Sequence, residues 1–220
     1  VASMSSQTTV QPLLSPASVP PDLHEGVDED GKLPRIGIIV GSTRPGRKAD
    51  QVARWVHQVT EHRDDARFEV LDLADFALPM LDEPMPPMSG EVAHGHTRAW
   101  AAAVNACDGF VFVTPEYNHS TSGALKNALD FLYAEWNDKA CGFISYGVDG
   151  GVRAVEHLRT IVGELKIADV RSQVGLSLSI IDGDGVHADA RVQARLSTML
   201  GEIVAWSSAL RKLRAVDGAV

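Results

Sequence analysis

Arg35-Ile36-Gly37-Ile38-Ile39-Val40-Gly41-Ser42-Thr43-Arg44-Pro45-Gly46-Arg47-Lys48-Ala49-Asp50 is the stretch whose reading decides the fold. Its β-branched opening predicts a strand over 35–40, and the Gly41 to Gly46 loop ends that strand. Just beyond, Val52, Trp55, Val56 and Val59 recur at helical spacing and predict an amphipathic helix. A buried strand that passes through a Gly, hydroxyl and Arg loop into a helix places free backbone N–H groups at the positive end of a helix dipole. Such a loop can seat a phosphate. On the loop alone, an ordinary βα turn with surface arginines is the other reading.

Spacing narrows the kind of phosphate. The dinucleotide fingerprint G-x-G-x-x-G fails, because Thr43 stands where the second glycine belongs. The Walker pattern matches at Gly41 and Gly46, but Arg47 and Lys48 follow, and the hydroxyl that would hold magnesium is missing. What remains is a loop of side-chain donors, Ser42, Thr43, Arg44 and Arg47, suited to a terminal phosphomonoester.

Outward from this loop, Phe68–Leu73 alternates as a second strand, while the prolines between Ala77 and Gly95 predict a long crossover without helix. Helix is expected over 97–107, a fully buried strand over 109–114, helix over 122–135, strand over 139–146, helix near 155–165, strand over 170–178 and a closing helix near 192–203. Five strands alternating with helices predict an α/β three-layer sandwich around a five-stranded parallel sheet, with strand order open. Ligands in such sheets lie beyond the carboxyl ends of the strands, so the loops after the first, third, fourth and fifth strands are the informative ones.

The loop after the third strand reads Pro115-Glu116-Tyr117-Asn118, and seven residues on from Asn118 the chain reads Leu125-Lys126-Asn127-Ala128-Leu129-Asp130. Together with the Gly-Ser-Thr-Arg loop, these motifs resemble the NAD(P)H-dependent FMN reductases of the flavodoxin-like superfamily over residues 34 to 210 or so. The resemblance implies a flavodoxin-like fold, bound FMN, and NADPH or NADH as the hydride source. It also implies that Pro115, Glu116, Tyr117 and Asn118 contact the flavin, with Ser42, Thr43, Arg44 and Arg47 at its phosphate. Physical chemistry agrees: an isoalloxazine ring needs a flat wall and backbone polar groups along its edge. Ser145-Tyr146-Gly147-Val148-Asp149-Gly150-Gly151 resembles the family's second glycine-rich flavin loop, with Ser145 and Gly147 as candidate contacts; a plain turn is the alternative there. Where the family often has Pro-Gly before the helix, this chain has Ser122-Gly123, and Ser122 is a good N-cap. Lys126 and Asp130 read as an exposed ion pair, and Asn127 as a tie to a neighbouring loop.

Composition sets the outer limits. A chain of 220 residues with 45% hydrophobic and 22% charged content is that of an ordinary soluble domain, and the net charge of −9 argues against nucleic acid or anionic membrane as a partner. No apolar run approaches the roughly 18 residues of a membrane span. Residues 1–33 are expected to be a flexible tail without the pattern of a secretory signal, and 34–215 the FMN-binding domain. Cys107 and Cys141 have no metal or redox spacing and read as buried thiols of a cytoplasmic protein. His94 and His96 with Glu91, and Asp182 and Asp184 with His187 and Asp189, lack complete metal-ligand patterns, and no metal is expected.

The expected activity is therefore electron transfer from NAD(P)H through FMN to a small acceptor: free flavin, a quinone, an azo compound or an oxidised metal ion. No catalytic acid or nucleophile is expected, because the chemistry is the flavin's. A non-enzymatic electron carrier or redox-sensing protein on the same fold is the rival, and steady pyridine-nucleotide turnover separates the two. The helix expected over 122–135 carries Leu125, Ala128, Leu129, Phe131, Leu132 and Tyr133, a wide apolar arc from which a homodimer or a homotetramer is expected.

Overall fold

The computed structural model describes residues 32–217, so the tail expected over 1–33 lies outside the described residues apart from its last two positions. The elements are β1 (Arg35–Val40), α1 (Ala49–Thr60), β2 (Arg67–Asp72), α2 (Leu73–Phe76), α3 (Gly95–Asn105), β3 (Gly109–Pro115), α4 (Gly123–Asp130), β4 (Ala140–Gly147), α5 (Val152–Glu164), β5 (Ala168–Ser177), β6 (Ile181–Asp182), β7 (Gly185–Val186) and α6 (Ala190–Asp217). The main sheet is parallel, in the order β2-β1-β3-β4-β5. This is the flavodoxin-like order, and its switch point falls between β1 and β3. Five parallel strands match the expectation from the sequence.

Alternation along the strands sorts the core into two layers. Ile36, Ile38, Val40, Val111, Val113 and Ile144 face α1 and α6, while Ile39, Phe110, Phe112 and Phe143 face α3, α4 and α5. β3 and β4 are buried along their whole length, as strands covered on both faces must be. β1 starts one step below β3: Gly41 N–H donates to Val113 O at 2.8 Å, and a Cβ at Gly41 would stand 2.5 Å from that oxygen. Glycine is thus required where β1 turns into its loop.

Two expectations about helix length are corrected. α4 stops at Asp130 instead of running to residue 135, and a short 3-10 turn, Ala134–Trp136, follows it. The cause is tertiary: the indole N–H of Trp100 donates to Ala128 O at 2.9 Å and that of Trp136 to Leu129 O at 3.2 Å, satisfying carbonyls at the helix end. Phe131, Leu132 and Trp136 then fold back into the chain's own core. The apolar arc expected to face a second subunit is consumed internally, which removes the premise from which the dimer was read. α6, in contrast, runs well past Ile203 to Asp217. Beyond Val204, the last apolar residue of α6 in the core, it docks through charge: Arg214 donates to Asp108 at 2.5 Å and to Asp138 O at 2.6 Å.

Candidate functional site

Three loops meet at the carboxyl ends of β1, β3 and β4. The first follows β1. Ser42 is buried, and its hydroxyl lies 3.2 Å from the phenol oxygen of Tyr117, so the loops after β1 and β3 touch through these side chains. Thr43 and Arg44 are exposed, and among the described residues the Arg44 guanidinium has no carboxylate partner. Arg47 is committed elsewhere: one N–H donates to Ser42 O at 2.9 Å, and another pairs with Asp72 at the end of β2. It shapes the loop, leaving Arg44 as the cation at its surface. α1 begins at Lys48 with no side-chain cap among the described residues, so its first N–H groups remain available to an anion.

The second loop is a tight turn. Tyr117 N–H donates to Ser120 O at 2.8 Å and Ser120 N–H to Tyr117 O at 3.0 Å, with Asn118 and His119 at φ 49° and 68°. Two successive positive φ values mark a two-residue hairpin turn, a conformation that Asn tolerates better than most residues. Pro115 ends β3 beside Tyr146, and Glu116 N–H continues the ladder to Tyr146 O at 3.0 Å. The Glu116 carboxylate is only 7% exposed and faces Arg153 at the start of α5, away from solvent. Behind the turn, Ser122 caps α4 by accepting from Leu125 N at 3.0 Å, while its hydroxyl donates to Gly41 O. The substitution that departs from the family pattern therefore ties α4 to the first loop.

The third loop, 147–151, is closed by Ser145, whose hydroxyl donates to Gly150 O at 2.7 Å. Ser145 is wholly buried and acts on the loop from beneath; Gly147 is buried at the end of β4. Tyr146, which sequence reasoning passed over, is buried with its phenol among Tyr117, Asp50, Arg44 and Arg47. Burial, followed by the neighbouring Tyr117 and the Asp50 carboxylate, pushes this phenol above its ordinary range.

A cavity of about 370 Å³ opens beside the first loop, lined by Thr43, Leu73, Ala77, Leu78, Ala124 and Asn127. Part of its wall is the segment after β2, which the sequence reading did not count among the informative loops. Asn127 fixes that segment, donating to Pro79 O at 2.7 Å and accepting from Leu81 N at 2.9 Å, the tie expected of it. Lys126 and Asp130 form the expected exposed pair at 2.6 Å.

The two incomplete metal-ligand patterns have local partners. Asp182 accepts from Asp184 N in the turn of the β6–β7 hairpin and lies 2.9 Å from His187; His96 lies 3.0 Å from Asp82. Among the described residues no group of three His, Cys, Asp or Glu is placed to hold a metal ion. Cys107 and Cys141 are buried free thiols, and burial with the nearby Glu69 pushes Cys107 up to about 12.

These loops fit FMN on structural grounds: an uncapped helix start with a surface cation for the phosphate, and a backbone turn beside a buried glycine strand end for a flat ring. The profile of the NADPH-dependent FMN reductase family matches residues 34–179. Over 148 residues the chain is 40% identical to an NAD(P)H-dependent FMN reductase of Nectria sp, covering 63% of this chain and 74% of that protein. A second such reductase, from Schizosaccharomyces pombe, is 40% identical over 147 residues, 66% and 74% of the two chains. Among solved structures, the flavoenzyme NAD(P)H:(acceptor) oxidoreductase FerB of Paracoccus denitrificans superposes with a TM-score of 0.65 over 80% of this chain and 98% of that one, at 20% identity. At that identity the likeness is one of fold.

Proposed function

Because the chain belongs to the NADPH-dependent FMN reductase family, we propose that it holds FMN across the three loops and transfers electrons from NADPH or NADH to a small acceptor such as a quinone. The observation that carries this is the Ser42–Tyr117 contact, which makes a phosphate loop and a ring loop one continuous surface. When bound, FMN supplies the redox chemistry, taking hydride from the nicotinamide and passing two electrons to the acceptor. The protein's part is placement. Arg44 and the first N–H groups of α1 hold the phosphate, with Ser42 and Thr43 beside them. Pro115, Tyr117 and Asn118 present the ring wall, with Gly147 on the far side; Glu116 and Ser145 act through the loops they brace.

The same reading takes in a cytoplasmic homodimer or homotetramer. Two buried free thiols support a reducing compartment, and the exposed Met80, Leu81, Met85 and Met88 support assembly through the crossover segment rather than through α4. Among the described residues no helix is long and apolar enough to cross a membrane. Sedimentation at micromolar concentration tests the assembly, and a species of 23.6 kDa alone overturns it.

The activity is tested by loading purified protein with FMN and following NADPH and NADH oxidation over a panel of quinones, free flavin, azo dyes and ferric chelates. Multiple turnovers with one acceptor are expected. Flavin uptake without nucleotide oxidation would leave only an electron carrier.

A further inference from the structure

The strongest polar bridge in the site belongs to a residue outside the three motifs. Arg153, in the first turn of α5, meets the Glu116 carboxylate at three points: backbone N–H to Oε2 at 3.1 Å, Nε to Oε1 at 2.6 Å, and Nη2 to Oε1 at 2.5 Å. Nη2 also reaches Asp149 at 2.9 Å. Glu116 belongs to the loop after β3 and Asp149 to the loop after β4, so one guanidinium ties both together. The two segments are in contact at backbone level too, since Glu116 N–H donates to Tyr146 O at the end of β4 at 3.0 Å. With 7% of its side chain exposed, Glu116 cannot turn to water for its charge, whereas Arg153 is 40% exposed. Exposed ion pairs contribute little, but removing one partner of a buried carboxylate leaves an uncompensated charge that forces rearrangement. The segment next to Glu116 in the chain is the turn at Tyr117 and Asn118.

We infer that Arg153 is a positioning residue for the flavin ring: by clamping Glu116 and Asp149 it holds the loops after β3 and β4 in one preformed wall, without touching the cofactor itself. The inference rests on the flavin reading above and assigns Glu116 a role as the clamp's anchor rather than as a ring ligand. Preorganisation of this kind is read in affinity, because a loop already in its bound shape is not ordered at the ligand's expense.

The test is flavin titration of the full-length apoprotein, followed by flavin fluorescence well below the unfolding temperature, with FMN and riboflavin in parallel. Arg153→Met is expected to weaken both flavins by the same factor, about tenfold or more, because the clamp acts on the ring wall and not on the phosphate loop. In a Glu116→Gln background the same substitution should cost less than about threefold, since the charge it answers is gone. Arg153→Lys should recover part of the affinity, as an ammonium keeps the charge but not the planar fork. If Arg153→Met folds poorly, Arg153→Lys and Glu116→Gln carry the comparison. A loss confined to FMN, a lower melting temperature with both affinities intact, or additive losses in the double variant would each overturn the inference. Wild-type apoprotein that takes up neither flavin would overturn the proposed function first, so the two failures are distinguishable.

Discussion

Arg44 and Arg47 stand three residues apart in one loop and have different partners. Arg44 lies at the surface with no carboxylate partner among the described residues, while Arg47 is bound to Ser42 O and Asp72. Arg44→Ala should therefore weaken FMN by about 1.5–3 kcal/mol and leave riboflavin nearly unchanged, the loss of a charge-assisted phosphate contact. Arg47→Ala should weaken both flavins, because it releases the loop itself. Titration of the two variants with the two flavins checks this, and equal losses for Arg44→Ala would remove it from the phosphate site. Both arginines look alike in sequence; what distinguishes them is Asp72, 25 residues away in the chain and adjacent only once β2 pairs with β1.

At the scale of elements, α4 shows how short contacts set the limits of a helix. Ser122 both caps it and bonds the Gly41 carbonyl, so Ser122→Ala should cost about 1–3 kcal/mol in denaturant unfolding, more than a cap alone. A cost below about 0.5 kcal/mol would show that the tie to β1 contributes nothing. At the far end, Phe131 is 2% exposed and packs edge-on against His96. Phe131→Asp should then act through folding, with a loss on the order of 3 kcal/mol or more, seen as a lowered unfolding midpoint. A variant that changed sedimentation while unfolding at the wild-type midpoint would restore α4 as a subunit contact.

Across the whole molecule, the two ends of the sheet are built differently. The carboxyl ends carry open loops; the amino ends are closed by α6, whose Arg214 and Arg211 converge on Asp108 while Asp108 also accepts from Arg35 N at 2.9 Å. Beneath them Lys139 is 4% exposed and donates to Val104 O at 2.8 Å. Burial, reinforced by Arg214, lowers its pKa to about 8. With the folded value below the unfolded one, the unfolded chain binds more protons between about pH 8 and 10.5, so this group's contribution to stability rises with pH across that window. Below pH 8 the charged, buried form is a standing cost. Lys139→Met should raise stability at pH 7 by on the order of 1–3 kcal/mol, an advantage that narrows as pH approaches 10. Urea unfolding of both proteins at pH 7 and pH 10 measures it; a gap that fails to narrow would exclude the titration as its cause.

The sequence by itself determined the alternation of strands and helices, the parallel sheet, and the family, because hydrophobic period and the Gly-Ser-Thr-Arg and Pro-Glu-Tyr-Asn motifs are local and the interior of such a sheet leaves strand composition little freedom. It also made Ser122 legible as a cap and Asn127 as a tie, since both roles follow from residue type and position. It did not determine where α4 ends, that α6 continues to Asp217, or that Arg47, Ser145 and Glu116 turn inward rather than toward the cavity. Apart from Ser145, held by Gly150 O five residues on, each of those outcomes is set by a partner that the fold brings close: the indoles of Trp100 and Trp136, the carboxylates of Asp108 and Asp72, and the guanidinium of Arg153. A polar side chain in a loop has no period to reveal its direction, and only the folded chain brings within reach the group that satisfies its charge or hydrogen bond.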